Sequence, residues 1–282
     1  MRVVIFGLML LGSVCVQASD IQVGDVQITI PSPEGFSPVT PEMAPLFEMQ
    51  KHFVPASNQE FVAFIAEENV PIAMAGDIPE MPRRFTVQTP KDLVGSFITS
   101  ADFLEIKTVI KTQNDEIFKK VEQQLPGFSS QVSHGIKQQF DVDLALSISK
   151  MLPMPIHLET ERAFAYSSFV KYDVKDEQGN TTPFVVVTTA TIVHIKGKLL
   201  FLYTYAEESG LDWSKDAAKQ WAEAVIAANP SDPQTATKEA QTPSAVNIDW
   251  NQVGEKAIVG GVIGGIIALF SVLLRRFRPQ KK

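Results

Sequence analysis

The sequence has almost no cysteine: the single one among its 282 residues is Cys15, close to the amino terminus. Residues 1–18 have the pattern of a secretion signal, in which Arg2 precedes an apolar run and small residues lead to a cleavage site after Ala18. A chain beginning at Ser19 would contain no disulfide, no thiol nucleophile and no cysteine-ligated metal. The alternatives for this segment are an uncleaved membrane helix and a lipoprotein signal that uses Cys15.

The sequence also lacks the motifs of common catalytic and cofactor sites. It has no Gly-x-Ser-x-Gly, no Gly-x-Gly-x-x-Gly, no phosphate-binding loop and no His-Glu-x-x-His. We therefore predict no cofactor, no metal ligand and no catalytic residue, and we favour a non-enzymatic protein. Two alternatives stay open: a periplasmic small-ligand sensor, and a hydrolase whose site is assembled only by folding. For the hydrolase, the side chains to inspect are Ser147, His157 and His194.

Positive charge is scarce through most of the chain. Residues 19–255 contain 18 of the 25 lysines and arginines and all 32 acidic residues, a net charge of −14. So acidic a segment is a poor match for nucleic acid or for anionic lipid headgroups, and we predict no nucleic-acid partner. Its length is sufficient for one large domain or two small ones.

The chain contains one long hydrophobic run at its carboxyl end. Residues 257–274 are 18 residues without a charge, and as a helix of about 27 Å they would just cross a bilayer core. Residues 275–282 then add five basic residues and no acid, which is typical of a cytoplasmic tail. This pattern predicts a single-pass inner (plasma) membrane protein whose amino-terminal domain is periplasmic or extracellular. The alternative is a processed carboxyl-terminal sorting signal.

Four glycines divide this run into two overlapping Gly-x3-Gly repeats: Gly260, Gly261, Gly264 and Gly265. Glycines four residues apart leave one helix face without side chains, so that a second helix can approach closely. We predict that this face associates with a second copy of the chain or with a helix of another membrane protein.

Composition divides the rest of the chain into an exported α+β domain at residues 19–228 and a flexible linker at 229–256. Proline, threonine, alanine and charged residues dominate the start of the linker, and such a segment buries too little apolar surface to fold. Trp250, just before the hydrophobic run, is expected at the headgroup layer.

Apolar periodicity predicts the elements of the domain. Strands are predicted at residues 22–30, 60–67 and 83–89, and a short helix at 41–52. A helical region is predicted over 90–125, with a new helix beginning at Asn114 and an end at Pro126-Gly127. Residues 128–150 fit either a strand or a helix.

From residue 156 onward the pattern favours three strands joined by short turns, an antiparallel meander, closed by a helix at 212–228 that carries Trp213 and Trp221. The segments 163–174, 185–195, 199–206 and 212–228 together resemble the PsbP/Mog1-like α/β/α sandwich. This resemblance covers under a third of the chain and implies a binding or assembly module, with no functional residue transferred. The fold class we expect is α+β: an antiparallel sheet packed by helices, plus one carboxyl-terminal transmembrane helix.

Overall fold

The computed structural model describes residues 18–140, 145–175, 179–231, 233–242 and 248–277. The strands in this part of the chain are β1 (Ala18–Val23), β2 (Val26–Pro31), β3 (Phe36–Pro38), β4 (Asn58–Ala66), β5 (Arg84–Pro90), β6 (Ala145–Pro153), β7 (Leu158–Glu159), β8 (Ala163–Lys175), β9 (Thr181–Ile195) and β10 (Lys198–Glu207). The helices are α1 (Ala44–Lys51), α2 (Val70–Met74), α3 (Ser100–Phe140), α4 (Leu211–Ala228), α5 (Pro233–Gln241) and α6 (Trp250–Phe277).

One eight-stranded antiparallel sheet organises the fold. Its strand order is β3-β4-β5-β10-β9-β8-β6, with β7 paired to β8 outside that path. Strands β8, β9 and β10 are the predicted meander, which is confirmed. The β9–β10 turn contains Lys196 and Gly197, both with positive φ, as a two-residue hairpin turn requires.

Helices cover the sheet on both sides. One face of the sheet, which we call the α4 face, packs against α4 and the β1–β2 hairpin. The other face, which we call the α6 face, packs against α3, α6 and α1. Because side chains alternate along each strand, the two cores separate cleanly. In β10, for example, Leu200 and Leu202 belong to the α4 face, and Tyr203 and Tyr205 belong to the α6 face.

The predicted transmembrane helix at residues 257–274 is wrong. In the part of the chain that the structure describes, no helix combines the length and the apolar character that crossing a membrane requires. The hydrophobic run lies instead within α6, where residues 257–267 are buried. Trp250, expected in the headgroup layer, is also buried in the core on the α6 face. Hydropathy records how apolar a segment is, but it does not record what covers it.

The start of α6 is held by a side-chain cap and an ion pair. Asp249 caps it by accepting hydrogen bonds from the main-chain nitrogens of Asn251 and Gln252, at 3.1 and 3.2 Å. Lys256 Nζ lies 2.6 Å from an Asp92 carboxylate oxygen, which ties the first turns to the loop after β5.

The helical region differs from the prediction. Helix α3 begins at Ser100 and continues without interruption through Asn114, Pro126 and Gly127 to Phe140. Asn114 is therefore not the start of a new helix. The apolar stripe of α3, which includes Ile110, packs against the sheet and α6, and this tertiary packing overrides the local stop signals.

The segment predicted as a flexible linker contains α5 and the first turns of α6. Helix α5 contacts the domain: Lys238 Nζ lies 3.1 Å from Asp25, and the Glu239 carboxylate accepts a hydrogen bond from the main-chain nitrogen of Ser100 at the start of α3. Strand 22–30 is also two strands, β1 and β2, because Gly24 allows a turn with positive φ. The predicted helix at 41–52 and strands at 60–67 and 83–89 are confirmed as α1, β4 and β5.

Candidate functional site

The histidines considered for a hydrolase lie on opposite faces of the sheet. His157 Nε2 is 3.1 Å from the hydroxyl of Ser167, whose own partner Thr189 is on the α4 face. His194 Nε2 is 2.7 Å from the carbonyl oxygen of Ile98, and its ring stacks on Phe103 of α3. Burial lowers the pKa of both imidazoles. The sheet separates the two rings, so they do not line one cleft.

Ser147 is remote from both histidines. It pairs with Asp173 on β8, whereas the main-chain nitrogen of His157 bonds to Ala165, eight residues earlier on that strand. At about 3.3 Å per residue this separation is about 26 Å. The structure therefore brings none of these three side chains together.

The four glycines of α6 lie against the sheet of the same chain. A Cβ atom on Gly260 or Gly264 would collide with the hydroxyl of Tyr203 or Tyr205. A Cβ on Gly265 would lie 2.7 Å from the Tyr172 hydroxyl. A Cβ on Gly261 would lie 2.9 Å from Thr188 Cγ2. The glycines thus permit close approach, but the surface approached here is a β-sheet, and their association with a second helix stays a prediction.

Tyrosine hydroxyls of the sheet reach the main chain of α6. Tyr203 donates to the carbonyl oxygen of Ala257 at 2.7 Å, Tyr172 to Val262 at 2.5 Å and Tyr205 to Gly260 at 3.4 Å. These oxygens are accessible because glycine leaves the helix backbone uncovered on this side. We call the sheet residues that contact α6 the α6-binding surface: Asn58, Gln88, Tyr172, Thr188, Tyr203 and Tyr205.

A series of hydrogen-bonded polar side chains extends from the start of α6 along the sheet. Asn58 Nδ2 donates to the carbonyl oxygen of Lys256 at 3.3 Å and to Gln88 Oε1 at 3.1 Å. Gln88 Nε2 in turn donates to a carboxylate oxygen of Glu60 at 3.4 Å. Burial raises the pKa of Glu60 to about 7, although nearby Arg84 acts in the opposite direction.

Arg84 is the most unusual residue on the α6 face. Its side chain is 1% exposed, and its guanidinium lies 5.0 Å from the ring centre of Tyr205, its cross-strand partner. Among the described residues, neither terminal nitrogen of this guanidinium has a hydrogen-bond partner. Burial lowers the pKa of Arg84, since its charged form is deprived of water. A buried cation without a fully bonded partner is costly, so its retention calls for an explanation.

Other polar atoms at this interface share this lack of partners within the described part of the chain: the hydroxyls of Thr86, Thr188 and Tyr166 on the sheet, and the indole nitrogen of Trp250 on α6 itself. Each such atom costs about 1–3 kcal/mol when buried unbonded. The α6 face thus places several unbonded polar atoms against a mostly apolar helix, which is a poor chemical match at those positions.

The sequence pattern identified the glycines of α6 but not the sheet residues that they contact. One signal was available: the sequence has four tyrosines, and all four, Tyr166, Tyr172, Tyr203 and Tyr205, belong to the core of the α6 face. Arg84, Glu60 and Gln88 gave no signal, since charged and amide side chains in a strand are usually solvated. Only the sheet pairing shows that they share one covered face.

Comparison with known proteins gives little beyond the fold. The solution structure of cyanobacterial PsbP (CyanoP) from Synechocystis sp. PCC 6803 is similar to this chain, with 14% sequence identity, a TM-score of 0.32, and coverage of 75% of this chain and 93% of that chain. This confirms the weak, fold-level resemblance predicted from the sequence, and it carries no functional argument. No family model and no curated protein sequence matches the chain.

Proposed function

We propose that this chain is an exported, non-enzymatic binding or assembly module that holds apolar, glycine-faced helices of membrane proteins. The proposal places it in the periplasm or outside the cell, as the secretion-signal pattern of residues 1–18 suggests. In the absence of such a partner, α6 occupies the site.

One observation supports this proposal above all: three tyrosine hydroxyls bond to main-chain oxygens in the uncharged stretch of α6, where four glycines face the sheet. Contacts to a helix backbone do not depend on particular side chains. They require only small residues four positions apart, which is the spacing that membrane helices use to pack together. The α6-binding surface therefore suits many apolar helices that share this spacing.

The charge of the domain is compatible with this role. Residues 19–255 carry a net charge of −14, which keeps a protein soluble while it covers an apolar segment. Helix-in-groove recognition of this kind relies on a few small or apolar positions along one helix face.

A disulfide that locks α6 in place tests the proposal. Thr188 Cγ2 would lie 2.9 Å from a Cβ atom on Gly261, so the two Cβ positions are within about 4.5 Å, as a disulfide requires. The double variant Thr188→Cys, Gly261→Cys is prepared in full-length chain without Cys15 (Cys15→Ala). Binding of a fluorescent peptide of residues 250–274 is then measured in mild neutral detergent, with the disulfide oxidised and reduced.

We expect the peptide to bind when the disulfide is reduced and to be excluded when it is oxidised. A peptide with leucine at all four glycine positions should fail to bind in either state, and Thr188→Cys alone should be insensitive to oxidation. Equal binding by the oxidised and reduced forms, or no binding by the reduced form, would overturn the proposed function.

A further inference from the structure

Helix α6 leaves Arg84 without an anion. The sequence has no acidic residue after Glu255, so no side chain of α6 beyond its first turns could neutralise this buried guanidinium. Within the described residues no carboxylate bonds to its terminal nitrogens. Burial lowers the pKa of Arg84 and the negative charge of Glu60 raises it, but the hydrogen bond of that carboxylate is to Gln88. The surface thus offers a cation that its own helix does not use.

The position of Arg84 along the helix track follows from the sheet register. Gly260 contacts Gln88, and Arg84 is four residues from Gln88 along β5, or about 13 Å. Tyr205, the cross-strand partner of Arg84, contacts Gly264. Arg84 therefore lies about level with Gly264. Helical side chains lean toward the amino terminus, so an acidic side chain one turn after Gly264, on the same helix face, would reach back toward the guanidinium.

We propose that the α6-binding surface is built for a partner helix that carries an acidic side chain one turn after its second glycine, where it pairs with Arg84. This inference rests on the proposed function and adds the charge that its partner needs. The guanidinium and the carboxylate would then neutralise each other in a buried site, and the terminal nitrogens of Arg84 would gain acceptors. Helix α6 is the weaker occupant, because it has no acidic side chain to pair with Arg84, and a paired helix displaces it.

Three peptides of residues 250–274 test this inference. The first has the native sequence, the second carries Ala268→Glu, and the third carries Phe270→Glu, which puts the same charge on roughly the opposite helix face. Each is titrated in mild neutral detergent against the full chain, against Arg84→Met and against Arg83→Met. Arg83 is the matched control, since it is the adjacent arginine but is exposed and lies over the ring of Trp213.

We expect the Ala268→Glu peptide to bind the full chain roughly tenfold more tightly than the native peptide, the gain typical of one charged hydrogen-bonded pair. The preference should disappear in Arg84→Met and persist in Arg83→Met, and the Phe270→Glu peptide should show none. Arg84→Lys, which keeps the charge, should retain part of the preference and guards against a folding defect in Arg84→Met.

Two results would overturn the inference, and they differ in what they leave standing. If the native and Ala268→Glu peptides bind equally while the leucine-substituted peptide fails, the surface recognises glycine-faced helices but not an acid. If no peptide binds, the proposed function fails together with the inference.

Discussion

The two faces of the central sheet are both covered by helices, yet the contacts that α4 and α6 make with them differ in kind. On the α4 face, Trp221 packs edge-on against Phe85 and Phe64, with ring centres 5.1 and 5.7 Å apart, and its indole nitrogen donates to Pro31 at 2.8 Å. On the α6 face, glycines meet tyrosine hydroxyls, and several buried polar atoms, including both terminal nitrogens of Arg84, stay unbonded; on the α4 face the unbonded atoms among the described residues are the hydroxyls of Thr191 and Thr204.

Under the proposed function, α4 is a permanent cover of the sheet and α6 an exchangeable one. The α4 interface is mostly apolar and aromatic, and its buried hydroxyls Thr189 and Ser214 bond to each other, so its two sides gain free energy by staying together. The α6 interface buries apolar residues of the helix, but it also buries polar atoms of the sheet that water would satisfy. We therefore expect the release of α6 from the sheet to require less free energy than global unfolding. The release of α4 should require as much free energy as global unfolding.

The largest effect should come from breaking the α4 face. Trp221→Ala removes a large buried side chain, so we expect the free energy of unfolding to fall by about 3–5 kcal/mol in denaturant titration. Trp213→Ala, at a partly buried position on the same helix, serves as the control and should cost less. Equal losses in the two variants would show that Trp221 is not central to this core.

Gly264→Leu should weaken the packing of α6 on the sheet and leave the packing of α4 unchanged. The added side chain collides with the hydroxyl of Tyr205, and overpacking of this kind costs about 1–3 kcal/mol. Amide hydrogen exchange in residues 250–267 should then accelerate on the order of 10–100-fold, with little change in α4. Gly127→Ala is the matched control, because no atom of another residue lies near the added Cβ. Equal acceleration in α4 and α6 would contradict the contrast between the faces.

The partly buried Glu60 on the α6 face should make stability depend on pH. The pKa of Glu60 rises from 4.5 to about 7 on folding, so the folded state holds a proton that the unfolded state has lost. The free energy of unfolding should therefore decrease between pH 4.5 and 7, by about 2 kcal/mol, and Glu60→Gln should remove this decrease.

A matched acid outside the α6-binding surface provides the control for this pH dependence. Neighbouring lysines, chiefly Lys111, lower the pKa of the exposed Glu159, so its contribution has the opposite sign and is lost as the pH falls. Glu159→Gln should therefore leave the decrease between pH 4.5 and 7 in place. An unchanged pH profile in Glu60→Gln would show that this carboxyl is not the titrating group.

The smallest effect should come from a single hydroxyl. Tyr203→Phe removes the hydrogen bond to the Ala257 carbonyl, and we expect a loss of about 0.5–1.5 kcal/mol in the free energy of α6 release. Tyr166→Phe removes a buried hydroxyl that has no partner among the described residues, so it should be neutral or slightly stabilising. The same loss in both variants, measured by amide exchange of α6, would argue against recognition through main-chain oxygens.

Local patterns predicted the sheet well because its signals are short-range. Alternating apolar residues and a Lys196-Gly197 turn identify the β9–β10 hairpin without reference to the rest of the chain. The breaks expected at Asn114 and Pro126 are signals of the same kind, but packing of a long helix against the sheet and α6 overrides them.

The sequence by itself determined that residues 257–274 are an uncharged helix with one glycine face, since composition and spacing are enough for both. Only the tertiary structure decided what that face contacts. An apolar helix can be covered by lipid, by another helix or by its own domain, and hydropathy is the same in each case. Here the partner consists of tyrosines and polar side chains that lie far apart along the chain, and only the pairing of β4, β5, β8, β9 and β10 brings them onto one surface.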